Sequence, residues 1–292
     1  MGATGQLGTD VVRAFVAQGD TVFGLSHDDI DIAVLDSVSG KMDVLRPDLI
    51  VNTAAMHHVE HCEQNPEMAF AINALGPRNL ATVARHLGAT IMHISTDYVF
   101  DGARRQPYLE TDLPRPLNTY GNTKLAGEHY VCSVAQSHFV LRTSGLYGTS
   151  PCRGKGGLNF ADLMRKLGME RRKVRVVDSE FITPTSTSQL ARQMVLLSRS
   201  NNFGVFHATA EGSCSWFDFA QEIFRICKLP VEVERAKSED FPAKVPRPRY
   251  SVLENGALKA AGLNAFGPWQ EALCEYLERN PLARLDVTVT AN

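Results

Sequence analysis

A doubly wound α/β fold, built on a parallel sheet and completed by a smaller C-terminal α/β lobe, is the architecture this 292-residue sequence predicts. Three observations carry it. Strand-sized apolar runs alternate with segments of helical periodicity through the first half of the chain. Those runs are continuous instead of alternating apolar with polar, as expected of strands covered on both faces. The chain opens with MGATGQLG, where Gly2, Gly5 and Gly8 make the kind of loop that lets a dinucleotide pyrophosphate approach bare backbone at a helix N-terminus.

Behind the glycines, Val11, Val12, Phe15 and Val16 recur at helical spacing, and Gly19 supplies the stop. Thr21 to Ser26 reads as a short strand, followed by a polar turn and a helix over Val34 to Leu45. Pro47 and Asp48 open the next strand, Leu49 to Ala54. A helix is expected from Pro66 to Leu87, ended by Gly88, and then a strand from Thr90 to Ser95. Another helix begins near Tyr120, with a strand at Phe139 to Thr143. Ligands of such sheets bind beyond the carboxyl ends of the strands, so the loops after Ala54, Ser95 and Thr143 are expected to line the site.

The pattern changes near residue 150. It divides the chain into a nucleotide-binding domain over residues 1–150 and a substrate lobe over 151–292, with some later elements returning to the main sheet. CRGKGG, Cys152 to Gly157, reads as a mobile loop and Lys173 to Asp178 as a strand. Thr183 to Arg199 reads as turn plus helix, Phe203 to Ala210 as a strand and Ser215 to Lys228 as an amphipathic helix. Pro242 to Pro248 is a proline-broken loop, and Leu282 to Asn292 shows no core pattern and reads as a loose tail.

Composition removes several function classes. Hydrophobic residues at 44% and charged residues at 21% are ordinary for a globular protein and exclude general disorder. A net charge of -2 with no long basic run gives nucleic acid no footing, and the densest group, Arg171, Arg172, Lys173 and Arg175, reads as a solvated helix end. The longest apolar runs fall well short of the ~20 residues that span a bilayer, so no membrane partner is expected and the chain reads as cytoplasmic. Cys62, Cys132, Cys152, Cys214, Cys227 and Cys274 form no C-x-x-C pair and read as reduced thiols. His57, His58, His61 and Cys62 match no standard metal spacing. They read as a loop lining the substrate cleft, and no metal is expected.

Tyr120 and Lys124 form the strongest chemical pattern. The i, i+4 spacing puts phenol and ammonium on one helix face, one turn apart. A phenol titrates near 10 and exchanges protons poorly at pH 7 unless a cation stabilises its anion, a field that Lys124 could supply. Ser95 and Thr96 end a sheet strand upstream, with hydroxyls able to bond a carbonyl oxygen beside the tyrosine. Hydroxyl, tyrosine and lysine together can hold a carbonyl, protonate its oxygen and grip a nicotinamide ribose.

GATGQLG, NTAA from Asn52, HISTDYVFDG from His93, PLNTYGNTKLAGE from Pro116, LRTSGLYG from Leu141 and RPRYSVLENGALKAAGL from Arg247 appear in this order. With these motifs the chain resembles the extended short-chain dehydrogenase/reductases, which are Rossmann-like, and within them the dTDP-4-dehydrorhamnose reductases. The likeness runs from residue 2 to about 280 and is most specific in STDYVFDG and YGNTKLAGE. It implies hydride delivery from NADPH or NADH to the C4 ketone of a nucleotide-linked 6-deoxy sugar. Tyr120 is then the proton donor, Lys124 its partner and Thr96 the hydroxyl that orients the ketone. Gly2, Gly5, Gln6, Leu7 and Gly8 would approach the pyrophosphate, and Ala54 and Ala55 would lie along the cofactor. Asp97 and Tyr98 would flank the sugar, with His57, Gly145 and Arg247 also on the substrate side. A nucleotide sugar is the implied partner, and a homodimer is one assembly the resemblance allows.

Three departures stand out. Where the family often carries Trp after Arg-Thr-Ser, this chain has Gly145, which removes a large contact surface. Where an Asp commonly accepts the adenosine ribose hydroxyls of NAD, Ser26 and His27 stand, so a 2′-phosphate is not repelled and NADPH is favoured, although Asp28 or Asp29 could swing in. Family members begin with an apolar strand before the first glycine, yet only Met1 precedes Gly2. Losing a central strand would leave buried backbone groups unpaired at ~1–3 kcal/mol each, so upstream residues are expected in the natural protein. Two other functions compete: a partner protein like the regulatory β subunit of methionine adenosyltransferase, and a nucleotide-sugar epimerase. A dehydratase is disfavoured, because it commonly needs Asp-Glu where this chain has Asp97-Tyr98.

Overall fold

The computed structural model describes residues 1–152, 156–241 and 245–281, so the expectations for the middle of CRGKGG, for residues 242–244 and for the tail from residue 282 fall outside the described residues. The first unit runs α1 (Gln6–Ala17), α2 (Leu35–Leu45), β1 (Leu49–Asn52), α3 (Val59–Gln64), α4 (Pro66–Phe70), α5 (Gly76–Leu87), β2 (Thr90–Thr96), α6 (Thr119–Val134) and β3 (His138–Thr143). The second half contributes β4 (Leu146–Tyr147), α7 (Phe160–Glu170), β5 (Lys173–Val177), β6 (Phe181–Ile182), β7 (Thr185–Ser186), α8 (Thr187–Ser198), β8 (Gly204–His207), β9 (Cys214–Ser215), α9 (Trp216–Cys227), β10 (Glu232–Ala236), α10 (Gly256–Ala260) and α11 (Trp269–Arg279).

The central sheet has the order β1-β2-β3-β8, all parallel, with Asn52 opposite His93 and Thr96 opposite Thr143. Its apolar runs face a helix layer on each side. Met92, Phe139, Leu141 and Phe206 meet Leu7, Val11 and Phe15 of α1 and Leu190, Met194 and Leu197 of α8. On the other face Ile50, Ile91 and Val140 meet Val38, Met42, Leu80, Val83, Ala84 and Val131 from α2, α5 and α6. Each large side chain buried this way contributes ~1.5–3 kcal/mol, which fixes the strand ends in space. α8 and β8 therefore belong to the first core although they lie past residue 150. The second lobe has its own core, in which α7, α9 and α11 cover the parallel pair β5-β10 with Met164, Val174, Val176, Phe219, Ile223, Phe224, Trp269 and Leu273.

Four local expectations differ from the structure. Thr21 to Ser26 is not a strand. A strand needs a ladder partner, and only Met1 to Ala3 lie between this segment and β1: Ala3 donates to Leu25 O at 3.1 Å, while Thr53 donates to Met1 O at 3.2 Å. The expected helix from Pro66 to Leu87 is broken at Ala71–Leu75 into wider π-type turns. Asn73 in that stretch turns inward and bonds the Met56 backbone twice, each at 2.9 Å, and such insertions into the helix ladder open it locally. The histidine run is only half a loop: His57 and His58 precede α3, which His58 caps by accepting from the His61 N–H at 3.2 Å, while His61 and Cys62 lie within the helix and Cys62 is buried. The basic group does not end a helix in solvent as a block: Lys173 and Arg175 lie on β5 and pair with Glu234 and Asp240.

Candidate active site

The N-terminus of α1 has an extended Gly5 as its cap and no side-chain cap, so its first N–H groups are free to meet an anion. The loop before it admits no side chain: a Cβ on Gly8 would lie 2.0 Å from the Gly2 carbonyl oxygen. Gly2 itself sits in the left-handed region at φ 74°, packed against Thr53 and Ala54 at the end of β1. Gln6 contributes backbone here, because its side-chain amide is spent on the carbonyls of Gly148 and Ser150, 3.3 Å from each. Glycines that pack this tightly before an uncapped helix fit the pyrophosphate of a dinucleotide, with Leu7 buried behind them.

Three strand ends converge beyond this loop. At the end of β1, Asn52 turns its amide inward and Ala54 and Ala55 follow. At the end of β2, the Thr96 hydroxyl donates to Asp97 Oδ1 at 3.1 Å and accepts from the Tyr98 N–H at 3.2 Å. At the end of β3, Ser144 donates to the other Asp97 oxygen at 2.8 Å. Burial pushes the Asp97 carboxyl above its usual range, and hydroxyl donors including Ser144 and Thr96 partly offset it.

α6 brings Tyr120 and Lys124 to this place. Its N-terminus is fixed by Asn118, whose side chain accepts from the Gly121 N–H at 2.9 Å. The Tyr120 ring meets the Tyr98 ring edge-on with centroids 5.8 Å apart. Burial raises the Tyr120 hydroxyl well above the ordinary tyrosine range; the Thr96 hydroxyl beside it works the other way, and the negative charge of Asp97 adds to the rise. Lys124 is 2% exposed, and its amine donates to Ile94 O at 2.6 Å and lies 3.3 Å from His93 Nε2. Burial brings its proton affinity down to about 8, against an opposing pull from Glu128.

The expected field of Lys124 on the phenol is therefore not what the bonds show. A buried amine takes the nearest acceptor, and that acceptor is on the sheet. Tyr120 is kept protonated by its surroundings, as a proton donor must be.

The remaining predicted residues divide. Arg247 pairs with Glu60 of α3 at 2.5 Å, and its charge acts on Tyr98, so it reaches the same mouth. His57 Nε2 stands 3.8 Å from Cys152 Sγ. Gly145 has φ 55°, and a Cβ there would come within 3.0 Å of Ile182 Cδ1 and 3.2 Å of Pro184 Cα, so the second lobe fills the space beside it. Ser26 donates its N–H and hydroxyl to Asp29 at 2.9 and 2.8 Å, and His27 pairs with Asp28 at 3.0 Å, so both carboxylates already lie on this exposed turn. Among the described residues no group of three or more His, Cys, Asp or Glu is placed to hold a metal, and no helix is long and apolar enough to cross a membrane.

Sequence reasoning missed His93, Asn52, Glu128, Arg142 and Ser144. Glu128 and Arg142 form a buried bidentate pair, with Nη2 to Oε2 at 2.7 Å, that ties α6 to β3. A His and an Arg inside otherwise apolar strands were the available signals.

An uncapped glycine loop packed against the end of β1, with Thr96, Tyr120 and Lys124 gathered at the end of the neighbouring β2, defines an oxidoreductase of the extended short-chain dehydrogenase/reductase type. The chain matches the RmlD substrate binding domain family over residues 1–281 and belongs to it. It is 38% identical over 276 residues to the dTDP-4-keto-6-deoxy-D-glucose reductase of Streptomyces niveus, covering 94% of each chain. Its fold is similar to the crystal structure of a dTDP-4-dehydrorhamnose reductase from Clostridium acetobutylicum, with TM-score 0.91 and 38% identity over 95% of this chain and 97% of that one. The Bacillus anthracis dTDP-4-dehydrorhamnose reductase, solved in complex with NADP, matches with TM-score 0.91 and 34% identity over 96% and 97%.

Proposed function

We propose that this enzyme reduces the C4 ketone of dTDP-4-dehydrorhamnose to the alcohol of dTDP-rhamnose with NADPH or NADH. The observation that carries the reading is the juxtaposition of the Thr96 hydroxyl with a Tyr120 phenol that burial holds protonated, at the carboxyl end of a strand next to the one the glycine loop packs on. The backbone of Gly2, Gly5, Gln6, Leu7 and Gly8 would hold the pyrophosphate. Ser26 and His27 would meet the adenosine end, Ala54 and Ala55 the dinucleotide's length, and Tyr120 and Lys124 the nicotinamide ribose. The coenzyme supplies the hydride that adds to the carbonyl carbon. Thr96 and Tyr120 orient the ketone oxygen by hydrogen bonds, and Tyr120 passes its proton to that oxygen as the C–O double bond becomes single. Asp97 and Tyr98 flank the sugar, and Arg247 offers a cation to the diphosphate at the price of its pair with Glu60.

The turn from Ser26 to Asp29 supports use of either coenzyme: position 26 carries no carboxylate against a 2′-phosphate, while Asp29, bonded to Ser26, supplies a carboxylate on the same turn that would accept ribose hydroxyls. The experiment is turnover of a panel of 4-keto-6-deoxy nucleotide sugars with NADPH and with NADH, products identified by mass and NMR. Formation of dTDP-rhamnose supports the reading. A folded protein that binds coenzyme but turns over none of the panel overturns it in favour of a partner role.

A further inference from the structure

Behind Lys124 runs a buried polar chain that the reaction above does not use. Lys124 Nζ is 3.3 Å from His93 Nε2, His93 Nδ1 is 3.1 Å from Asn52 Nδ2, and Asn52 Oδ1 accepts the Ala54 N–H at 3.1 Å. His93 and Asn52 are both fully buried on adjacent strands, opposite one another in register.

The direction of every bond follows from the far end. A backbone N–H can only donate, so the oxygen of the Asn52 amide is fixed at Ala54 and its NH₂ faces the imidazole. Nδ1 must then be the acceptor, and a neutral imidazole carries its one proton on Nε2. That N–H points at Lys124. An ammonium has three donors and no acceptor, so it meets Nε2–H donor to donor, whereas a neutral amine offers its lone pair there and still donates to Ile94 O.

We propose that His93, its ring proton held on Nε2 by Asn52, is a positioning residue that makes the neutral amine the better-bonded state of Lys124, so that Lys124 takes up a proton when the anionic coenzyme binds. The proposal rests on the coenzyme reading above but not on the identity of the sugar.

The surroundings agree. Burial opposes charge on both partners of the contact, holding Lys124 near 8 and His93 well below its ordinary range, where the Lys124 charge lowers the imidazole further. Glu128 on the same helix pulls Lys124 the other way, but that carboxylate is already committed to Arg142 of β3 and to the Ser95 hydroxyl. Asp97 after β2 and Cys62 of α3 act on the phenol of Tyr120, on the same helix, and are not among the causes that shift Lys124. The alternative chain, with Lys124 donating to Nε2, requires the Asn52 amide to turn over and set its NH₂ against the Ala54 N–H, leaving a buried donor unpaired.

Two measurements test this. The first is the tautomer of His93 in the coenzyme-free wild type at pH 7, read from long-range ¹H–¹⁵N correlations of histidine-labelled protein and assigned by the signal lost in His93→Gln. The expected result is a protonated Nε2 and a bare Nδ1; a protonated Nδ1 overturns the proposal. The second is NADPH affinity from pH 7 to 9 without substrate. Proton uptake on binding predicts an affinity that falls by about tenfold over this range in the wild type. In His93→Gln, whose side-chain carbonyl can accept from an ammonium, the fall is expected to shrink to less than about twofold. A variant that weakens binding equally at every pH shows a merely structural His93 and overturns the proposal. Failure of the wild type to bind NADPH or NADH at any pH overturns the coenzyme reading instead, and if His93→Gln does not fold, the wild-type tautomer decides, its signal then assigned by elimination among the nine histidines.

Discussion

Ser144 donates to Asp97 across 2.8 Å and thereby ties the turn after β3 to the turn after β2, at the place where substrate is expected. Burial makes the Asp97 charge costly, and this hydroxyl is one of the donors that hold it. Ser144→Ala is expected to cost about 1.5–3 kcal/mol at pH 7, the range for a hydrogen bond to a charged acceptor, and less at pH 4, where Asp97 gains a proton. Denaturant unfolding at the two pH values measures it. An equal loss at both would show that the carboxyl is already protonated at neutrality.

The pair between Glu128 and Arg142 is 2–5% exposed by side chain and joins the catalytic helix to the sheet. Removing one partner leaves the other charge buried, so Glu128→Gln or Arg142→Met is expected to destabilise by about 3–5 kcal/mol. The double variant with Met at both positions should cost less than the sum of the two single changes. A double-mutant cycle from chemical denaturation gives the coupling directly.

His93 and His207 are both buried in neutral form, with His207 held down at about 3 and His93 well below the ordinary value. Unfolded histidine takes its proton near 6.5, so the unfolded chain binds more protons than the folded one below that pH. Stability is then fully present above 6.5 and is lost as pH falls toward the folded values. Between pH 7.5 and 5.5 the two groups together predict a loss of roughly 2–3 kcal/mol, before most carboxylates titrate. His207→Gln should remove about half of that slope whatever it does to stability at pH 7.5.

Gly8 lies where a Cβ would meet the Gly2 carbonyl oxygen at 2.0 Å, which no backbone tolerates without moving. Gly8→Ala is therefore expected to push the loop away from α1 and weaken coenzyme binding by about tenfold or more, a change of ~1.4 kcal/mol. Fluorescence titration with NADPH checks this, and circular dichroism shows whether the fold persists.

The parallel sheet was legible because its strands are short continuous apolar runs separated by amphipathic segments, and the site loops were legible because such sheets bind ligands at the strand ends. Gly5 and Gly8, and Tyr120 with Lys124, could be named from spacing, whereas Thr96 was named from its place at a strand end and from the family motif around it. Thr21 to Ser26 could not be judged that way, since a strand exists only by virtue of a neighbour. The orientation of Lys124 toward Ile94 and His93 was equally hidden. Helical spacing shows that Tyr120 and Lys124 share a face, but which acceptor a buried amine chooses depends on the strand behind it. Gly145 read as a lost aromatic surface, whereas its positive φ and the closeness of Ile182 show that the second lobe packs against that turn.

The account turns on the Tyr120 hydroxyl giving its proton to the substrate oxygen, and the single-turnover rate of NADPH oxidation with dTDP-4-dehydrorhamnose tests it most directly. For Tyr120→Phe the expected rate is lower by about 10²–10⁴-fold, with NADPH affinity held within a few-fold of wild type. A Tyr120→Phe rate equal to that of the wild type would contradict it.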